Sequence, residues 1–402
     1  MSNVSLIRRS GCYAIMVSKS RLAYAPFCSV SNIPKDVNAA PIAISARKKP
    51  GFMKIFAELA KARLSALVVI TSGAGFFCAG APILWDIMAL TCVGTGFCAA
   101  SAASFNQVIE KDRDSLMNRT KNRPLPAGHI SPPAALAFGA ATGTIGTALL
   151  AAYGNPLAAG LGLFNIWLYA VPYTLSKPKH EINTWIGSLV GAIPPVMGWL
   201  AATGGNAGSF STPILPAALE GLIMTEGTAA SILPPASTAP AFVSPYTLEA
   251  LTSVDFLCSP LVLNPLLLSS ILFLWQFPHF FALSWMHRED YGRGGFEMVA
   301  CNDASGQRSA DLVRNYTVLL ATVPVISTWA GITNYMFAVE GTILNAYFFY
   351  LTTVFSKRQS NANARRIFLT SLWYLPLLLG KCVSAVSTQY DFYCCQCKPI
   401  LC

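Results

Sequence analysis

Residues 87–126 read IMALTCVGTGFCAASAASFNQVIEKDRDSLMNRTKNRPLP. The first part, 87–109, holds no charged side chain, and its length matches the ~20 residues that one helix needs to cross a bilayer. The charge then arrives all at once, as Glu110, Lys111, Asp112, Arg113 and Asp114, with Arg119, Lys121 and Arg123 close behind. An abrupt change of this kind marks the point where a spanning helix leaves lipid for water. Composition extends that reading to the whole chain. Hydrophobic residues make up 53% and charged residues 11% of 402 positions, at a mean hydropathy of +0.49. A water-facing exterior takes about 25% charged residues, and a disordered chain is poor in apolar residues. Both classes are excluded, and an all-α polytopic membrane protein remains.

Outward from this stretch the pattern repeats. Charge-free runs cover 64–85, 87–109, two spans within 130–176, 182–201, 256–287 and 315–332, while 336–355 is broken only by Glu340 and 367–385 only by Lys381. The turn signal Tyr153-Gly154-Asn155-Pro156 divides the pair in 130–176. About nine transmembrane helices are therefore expected in a domain over 50–385.

The charges orient it. With nine crossings, segments 110–129, 177–181, 288–314 and 356–366 share a face with the N-terminal flank, and together hold 26 of the 28 Lys and Arg. Only Lys381 and Lys398 fall opposite, and the long connection 202–261 has none. This is the positive-inside asymmetry. Residues 1–49 are basic and serine-rich, with Asp36 as their one acid, which is the profile of a mitochondrial presequence and flank. The basic face is then the matrix side of the inner membrane, and 202–261 an insertion on the intermembrane-space side. The net charge of +10 does not signal nucleic-acid binding, because it is divided among short loops instead of forming one stripe.

Three polar constellations fall on that basic face. Asn106, Glu110 and Asp114 recur at i, i+4, i+8 and share one helix face. Carboxylates that could hold Mg²⁺, followed by Arg119 and Arg123, suit a diphosphate, since Mg²⁺ is usually bound through one or two carboxylates plus substrate phosphates and guanidinium groups match phosphate oxygens. The second constellation runs from Trp275 through His279 and His287 to Arg288 and Asp290. Eleven residues separate His279 from Asp290, so a continuous helix would set them on one stripe. A histidine within a span is a functional candidate, with an interhelical hydrogen bond as the bland alternative. The third is Tyr169, Tyr173 and Lys177, followed by Gly187 and Gly191, whose spacing would let a neighbouring helix approach. Lys177 alone would be a positive-inside anchor; beside two acidic motifs it becomes a candidate diphosphate ligand. A site polar at its mouth and apolar in its depth suits a lipid-tailed diphosphate.

The spacing Asn-x3-Glu-x3-Asp-x2-Met-x-Arg-Thr-x2-Arg-Pro-Leu, from Asn106 to Leu125, resembles the haem-farnesylating (haem O synthase) branch of the UbiA-type intramembrane prenyltransferases. The stretches Asn183–Trp199, Trp275–Trp285 and Ser371–Pro376 are similar to its mitochondrial members, and the likeness covers roughly 55–380 apart from 202–261. The resemblance implies nine helices around a central cavity and transfer of farnesyl from farnesyl diphosphate to a vinyl group of protohaem IX. It implies Mg²⁺ bound with the diphosphate by Asn106, Glu110, Asp114 and Asp290, with Arg119, Arg123, Lys177 and Arg288 on the phosphates. His279 stands where most of the family carries an acid, and is expected to contact the haem or act as a base. The expected partners are the two substrates and the bilayer, with a second copy of the chain or a haem A synthase as candidate protein contacts.

Some residues depart from the family pattern. Gln107 replaces the second acid of the general motif, which fits the haem branch and weighs against a quinone prenyltransferase. The tail 386–402, with Cys394, Cys395, Cys397 and Cys402, has no zinc-ligand spacing and reads as disordered or a gene-model artefact. A carrier would be expected to show inverted repeats and mid-span polar residues in both halves; no repeat is visible, and the polar residues gather at one face. A catalytically inert assembly scaffold would leave the two acidic motifs dispensable.

Overall fold

The computed structural model describes residues 6–9, 12–15, 51–79, 83–204 and 260–397. The chain forms two compact units, Met1–Lys48 and Lys49–Cys402. In the first, β1 (Leu6–Arg9) and β2 (Cys12–Ile15) pair antiparallel, Leu6 opposite Ile15 and Arg9 opposite Cys12. The presequence reading gave no sign of this ribbon. Most of the connection 202–261 lies outside the described residues, as does Cys402.

The second unit is helical throughout its described residues. Its elements are α1 (Phe52–Leu59), α2 (Ala62–Phe77), α3 (Trp85–Ile109), α4 (Lys111–Leu116), α5 (Pro132–Leu149), α6 (Pro156–Leu168), α7 (Thr174–Ser176) and α8 (Asn183–Gly204). They continue as α9 (Pro260–Met286), α10 (Arg288–Arg293), α11 (Val299–Asn302), α12 (Gln307–Trp329), α13 (Tyr335–Lys357) and α14 (Asn361–Cys397). The last helix thus runs on through most of the cysteine-rich tail. Asn155 caps α6 by accepting from the Leu157 amide, 2.7 Å, with Pro156 at the first helical position.

Six of these helices, among the described residues, are long and apolar enough to cross a membrane: those carrying Trp85–Ile109, Pro132–Gly154, Pro156–Ser176, Asn183–Thr203, Leu263–Met286 and Asn361–Val386. The other three expected spans fall short for separate reasons. Helix α2 has 16 residues, α12 begins with Arg308, Asp311 and Arg314, and α13 carries Glu340 among many aromatics.

Polarity is arranged for lipid. Ile70, Trp85, Ile145, Trp167, Ile326, Ile343 and Leu369 are exposed, while Ser72, Thr95, Ser101, Thr317, Thr352 and Ser371 are buried. Small hydroxylated residues at helix contacts let backbones approach and bond across them. Ser101 Oγ donates to the Gly139 carbonyl, 2.7 Å, between α3 and α5. Ser269 Oγ does the same to Ala192, 2.8 Å, between α9 and α8. The tightest crossing joins α2 and α8: a Cβ on Gly75 would lie 1.9 Å from the Pro195 carbonyl oxygen, and one on Gly198 1.8 Å from that of Ser72. Gly187 and Gly191 serve differently from the backbone approach their spacing suggests. Each meets a side chain, the Tyr173 ring at 2.8 Å and the Gln276 amide at 2.3 Å from where a Cβ would stand.

Helices α2, α3, α5, α6 and α8 pack as one group and α9, α12, α13 and α14 as another, joined through α8 with α9 and α14 with α2. The loops at one end of the bundle interlock. The Glu297 amide donates to the Lys177 carbonyl, 2.7 Å, Arg308 pairs with Glu181, and Arg288 donates to Asn361, 3.2 Å.

Candidate active site

The amide–carboxylate–carboxylate face forms as its spacing requires. The i to i−4 ladder passes through the α3–α4 junction, Glu110 N donating to Asn106 O at 2.9 Å and Asp114 N to Glu110 O at 2.8 Å. Asn106, Glu110 and Asp114 are all buried. A buried carboxylate without a partner is costly, and each here has one. Lys177 Nζ lies 2.7 Å from Glu110 Oε1, and Arg123 Nη1 2.5 Å from Asp114 Oδ2.

Lys177 is delivered by an irregular helix end. Pro172 has no N–H to give, and residues Tyr169–Tyr173 wind as one π-helical turn. Thr174 Oγ1 donates to the Tyr169 carbonyl, 2.7 Å, and accepts from Asn106 Nδ2, 2.9 Å. The Tyr169 and Tyr173 rings stack at 4.9 Å, and the Lys177 ammonium sits 4.3 Å over Tyr173.

A residue that the sequence reading passed over completes the cluster. Lys61 lies at the α1–α2 junction with φ 48°, ψ 48°, a left-handed conformation that costs a non-glycine residue roughly 1 kcal/mol or more. Its Nζ donates to Asn106 Oδ1, 2.7 Å, and to the Tyr169 hydroxyl, 3.1 Å. Gln107 sets this turn: its Nε2 donates to the Leu59 carbonyl at 2.6 Å and to that of Glu58 at 3.2 Å. A carboxylate at position 107 could donate to neither. The departure from the family acid thus has a local cause, the end of α1.

Burial and the neighbouring Arg123 and Lys177 push the Lys61 amine down to about 7. Burial alone would raise the Glu110 carboxyl, but Lys177 and Lys61 outweigh it and hold it below its ordinary value. Burial opposes the Lys177 ammonium, yet Glu110 and the two tyrosines bring it well above the usual lysine range. Beneath this mouth lies a cavity walled by Leu64, Val68, Ala102, Ile166 and Met197, with Lys61 at its rim.

Asp290, Arg119 and Arg288 form a second group. Asp290 Oδ1 accepts from the Asn118 amide, 2.8 Å, and Oδ2 from that of Arg119, 3.1 Å; Arg293 adds an ion pair. Burial would raise the Asp290 carboxyl, but the two amides and Arg293 lower it below its usual value. Arg119 Nη2 donates to the Tyr291 hydroxyl, 2.9 Å. Arg288 turns towards the start of α14, with Nη1 on the Trp285 carbonyl at 2.8 Å, and contacts neither Glu110 nor Asp114 through any hydrogen bond or ion pair among the described residues.

His279 belongs to neither group. Its Nδ1 lies 2.7 Å from Ser371 Oγ, and its ring stacks on Trp275 at 4.7 Å and meets the tilted Phe368 ring at 4.8 Å. The single stripe expected from His279 to Asp290 does not form, because the helix breaks at His287, φ −112°, ψ 18°, between α9 and α10.

Together these define a class: an intramembrane helical protein with a buried site of paired acids and bases at one membrane face, above an apolar cavity. The chain belongs to the UbiA prenyltransferase family, whose model matches residues 67–375. It is 40% identical over 328 residues to the mitochondrial protohaem IX farnesyltransferase of Homo sapiens, covering 81% of this chain and 60% of that protein. It is 30% identical to the protohaem IX farnesyltransferase of Solibacter usitatus, over 82% of this chain and 97% of that one. The chain thus spans about three fifths of the human relative's length and nearly all of the bacterial one. Among solved structures, digeranylgeranylglyceryl phosphate synthase in membranes matches with a TM-score of 0.59 at 14% identity, covering 84% of this chain and 99% of that one. A UbiA homologue from Archaeoglobus fulgidus bound to DMAPP and Mg²⁺ matches at 0.51 and 12%, covering 83% and 99%. These two likenesses establish the fold.

Proposed function

We propose that this chain transfers the farnesyl group of farnesyl diphosphate to a vinyl group of protohaem IX, giving haem O, in the inner mitochondrial membrane with its site facing the matrix. The observation that carries the reading is the buried Asn106–Glu110–Asp114 face opposed by Lys61, Lys177 and Arg123. The kinship with named protohaem IX farnesyltransferases supports the choice of substrates.

Glu110 and Asp114 fit a divalent ion that is bound jointly with a diphosphate. They are two carboxylates one helical turn apart beside the Asn106 amide, and Mg²⁺ usually keeps waters and takes one or two protein carboxylates plus phosphates. Among the described residues no three His, Cys, Asp or Glu side chains form a dedicated metal cage, so the phosphates would supply the remaining ligands. The relative bound to DMAPP and Mg²⁺ supports this arrangement. When bound, the ion would neutralise charge on the leaving diphosphate.

The chain's own residues supply the rest. Lys177 and Arg123 exchange their carboxylate partners for phosphate oxygens, and Lys61 swings from Asn106 to do the same. Charge that develops on the diphosphate as the C1–O bond breaks then meets these cations, already in contact with it. The apolar cavity takes the prenyl tail and excludes water from the allylic cation. The vinyl π electrons form the new carbon–carbon bond at C1. Water then adds at the carbon left positive, and its proton departs, leaving a hydroxyethylfarnesyl side chain and free diphosphate. His279, bonded to Ser371 through Nδ1, keeps Nε2 to contact the haem or to act as a base. His279→Ala with normal haem O formation would remove that role.

Residues 1–49 serve as presequence and flank, and 202–261 as an insertion on the opposite side. The deciding assay supplies membranes containing the protein with protohaem, farnesyl diphosphate and Mg²⁺ and separates the haem products. Haem O is expected from the wild type and none from Asp114→Ala; equal output from the two would overturn the reading.

A further inference from the structure

His279 of α9 and Ser371 of α14 meet between the two helices, and the protons of this pair can be counted. A serine hydroxyl has one proton to give and lone pairs with which to receive. Ser371 Oγ stands 2.7 Å from the carbonyl oxygen of Phe368, three residues back in its own helix, and 2.7 Å from His279 Nδ1. A carbonyl oxygen can only accept, so the single hydroxyl proton goes to Phe368. Were it turned to His279 instead, two oxygens would face each other at 2.7 Å with no proton between them. Ser371 Oγ therefore receives from the imidazole, and Nδ1 carries a proton. The hydrogen bond at one ring nitrogen sets the state of the other. Neutral His279 is thus the Nδ1–H tautomer, with a lone pair on Nε2, and it makes no other hydrogen bond among the described residues.

The surroundings hold the ring in this sense. Trp275 Nε1 donates to the carbonyl of the same Ser371, 2.9 Å, and the Trp275 ring stacks on the imidazole with 24° between the planes. Ser371 is fully buried, so water does not compete for its hydroxyl. A bond that served only to join α9 to α14 would be satisfied by either tautomer. The bond to Phe368 admits one.

On the reading proposed above, water adds to the carbon left positive once the carbon–carbon bond has formed, and a proton must leave it. An N–H at Nε2 could not take that proton; a lone pair can. We propose that Ser371 is a positioning residue, which fixes His279 as the Nδ1–H tautomer so that Nε2 accepts the proton of the adding water. The water oxygen forms its bond to the cationic carbon, one of its O–H bonds breaks, and the proton goes to Nε2. The imidazolium so formed still donates from Nδ1 to Ser371, and it releases the proton to solvent as product departs. The role of base rests on the proposed farnesyl transfer, whereas the tautomer rests on α9 and α14 alone.

The test uses the full-length protein in lipid vesicles with isotope-labelled histidine, at neutral pH. The chain has four histidines, and the signal lost in His279→Asn identifies the one of interest; nitrogen–carbon correlation then tells which ring nitrogen carries the proton. Wild type and Ser371→Thr are expected to be protonated at Nδ1. Ser371→Ala, without the acceptor, should revert to Nε2–H, the form that neutral imidazole ordinarily favours. The same variant should lower kcat for haem O about tenfold or more with both KM values within about twofold of wild type. It should also raise the fraction of product that lacks the added water, in which the cation has shed a proton from carbon instead, and Ser371→Thr should restore the wild-type ratio. Nε2–H in wild type would overturn the proposal, and that spectrum stands whether or not a variant folds. So would a Ser371→Ala enzyme that melts at a lower temperature but keeps the wild-type tautomer, kcat and product ratio, the result of a purely structural bond. Nδ1–H in a wild type that makes no haem O would sink farnesyl transfer and leave the pairing standing; haem O from a protein with Nε2–H would sink the pairing alone.

Discussion

Gln107 shows how a single side-chain atom shapes this site from a distance. Its amide nitrogen holds the carbonyls of Glu58 and Leu59 at the end of α1, and the chain turns there through the left-handed Lys61. Gln107→Glu removes the donor and faces two buried carbonyls with an acceptor. Leaving such groups unpaired costs about 1–3 kcal/mol. The expected outcome is a lower unfolding temperature and a KM for farnesyl diphosphate raised about tenfold or more, with Gln107→Leu milder because it adds no charge. Wild-type kinetics in Gln107→Glu would show that the α1–α2 turn does not matter to the site. A second residue-scale expectation concerns Lys61 itself: Lys61→Met should weaken farnesyl diphosphate more than protohaem in steady-state kinetics, and the reverse order would exclude it from the diphosphate cluster. Lys61 was not legible in the sequence because a lysine at the start of an apolar run reads as an anchor, and its partner Asn106 lies on another helix, 45 residues on. Asn106, Glu110 and Asp114 were legible because the i to i−4 ladder runs from α3 through the junction into α4, and period alone stacks them.

At the scale of elements, α2 and α8 approach until backbone meets backbone. Gly198→Leu places a side chain where even a Cβ would stand 1.8 Å from the Ser72 carbonyl. Overpacking of a tight contact costs about 1–3 kcal/mol or more, so this variant should lose folded protein and activity together, while Gly160→Leu, which has open space, should lose neither. Equal yields of the two would mean that the crossing is loose. The loop between α7 and α8 is tied to α12 by Glu181, which accepts from Arg308 Nη1 at 3.0 Å and Nη2 at 2.5 Å and from Asn302 at 3.1 Å. Burial works to raise the Glu181 carboxyl, but Arg308 and Asn302 prevail and hold it below its ordinary 4.5. The sign follows: a lowered folded-state value adds stability above about pH 4.5 that disappears as pH falls through it. For so exposed a pair the gain is about 0.5–1 kcal/mol. Glu181→Gln should melt a little below wild type at pH 7, with the gap closing in acid; a gap independent of pH would count against the ion pair. Periodicity was a poor guide to the break at His287. A continuous apolar-to-polar run gives no warning that two backbone amides, those of Asn118 and Arg119, draw Asp290 off the axis of α9.

For the whole molecule, the interlocked loops bear on how many helices cross the membrane. Lys61 meets Asn106, Lys177 meets Glu110, Glu181 meets Arg308, and Arg288 meets Asn361. These contacts gather the starts or ends of α2, α3, α6, α8, α9, α12 and α14 at one face. Helices between two points on the same face must come in pairs, which predicts hairpins of α2 with α3, α5 with α6, α8 with α9, and α12 with α13, with α14 crossing alone. If α3 crosses, α2 crosses with it despite its 16 residues. Helices α12 and α13, each of 23 residues, are long enough at 1.5 Å per residue to cover a hydrocarbon core of about 30 Å. Their charges lie within the first turns of α12, at Lys357 in the last turn of α13, and at Glu340, which pairs with Lys381 of α14 at 2.7 Å. Tertiary pairing thus supplies what hydropathy along each helix alone does not. The topology predicts that Tyr335, at the far turn of the α12–α13 hairpin, and Ala362, beside Asn361, lie on opposite sides of the membrane. In a chain with its native cysteines replaced by serine, Tyr335→Cys and Ala362→Cys should react with an impermeant maleimide from opposite sides of sealed vesicles. Labelling of both from one side would reduce α12 and α13 to a pair that does not cross, and would remove the positive-inside argument for everything that follows Arg314.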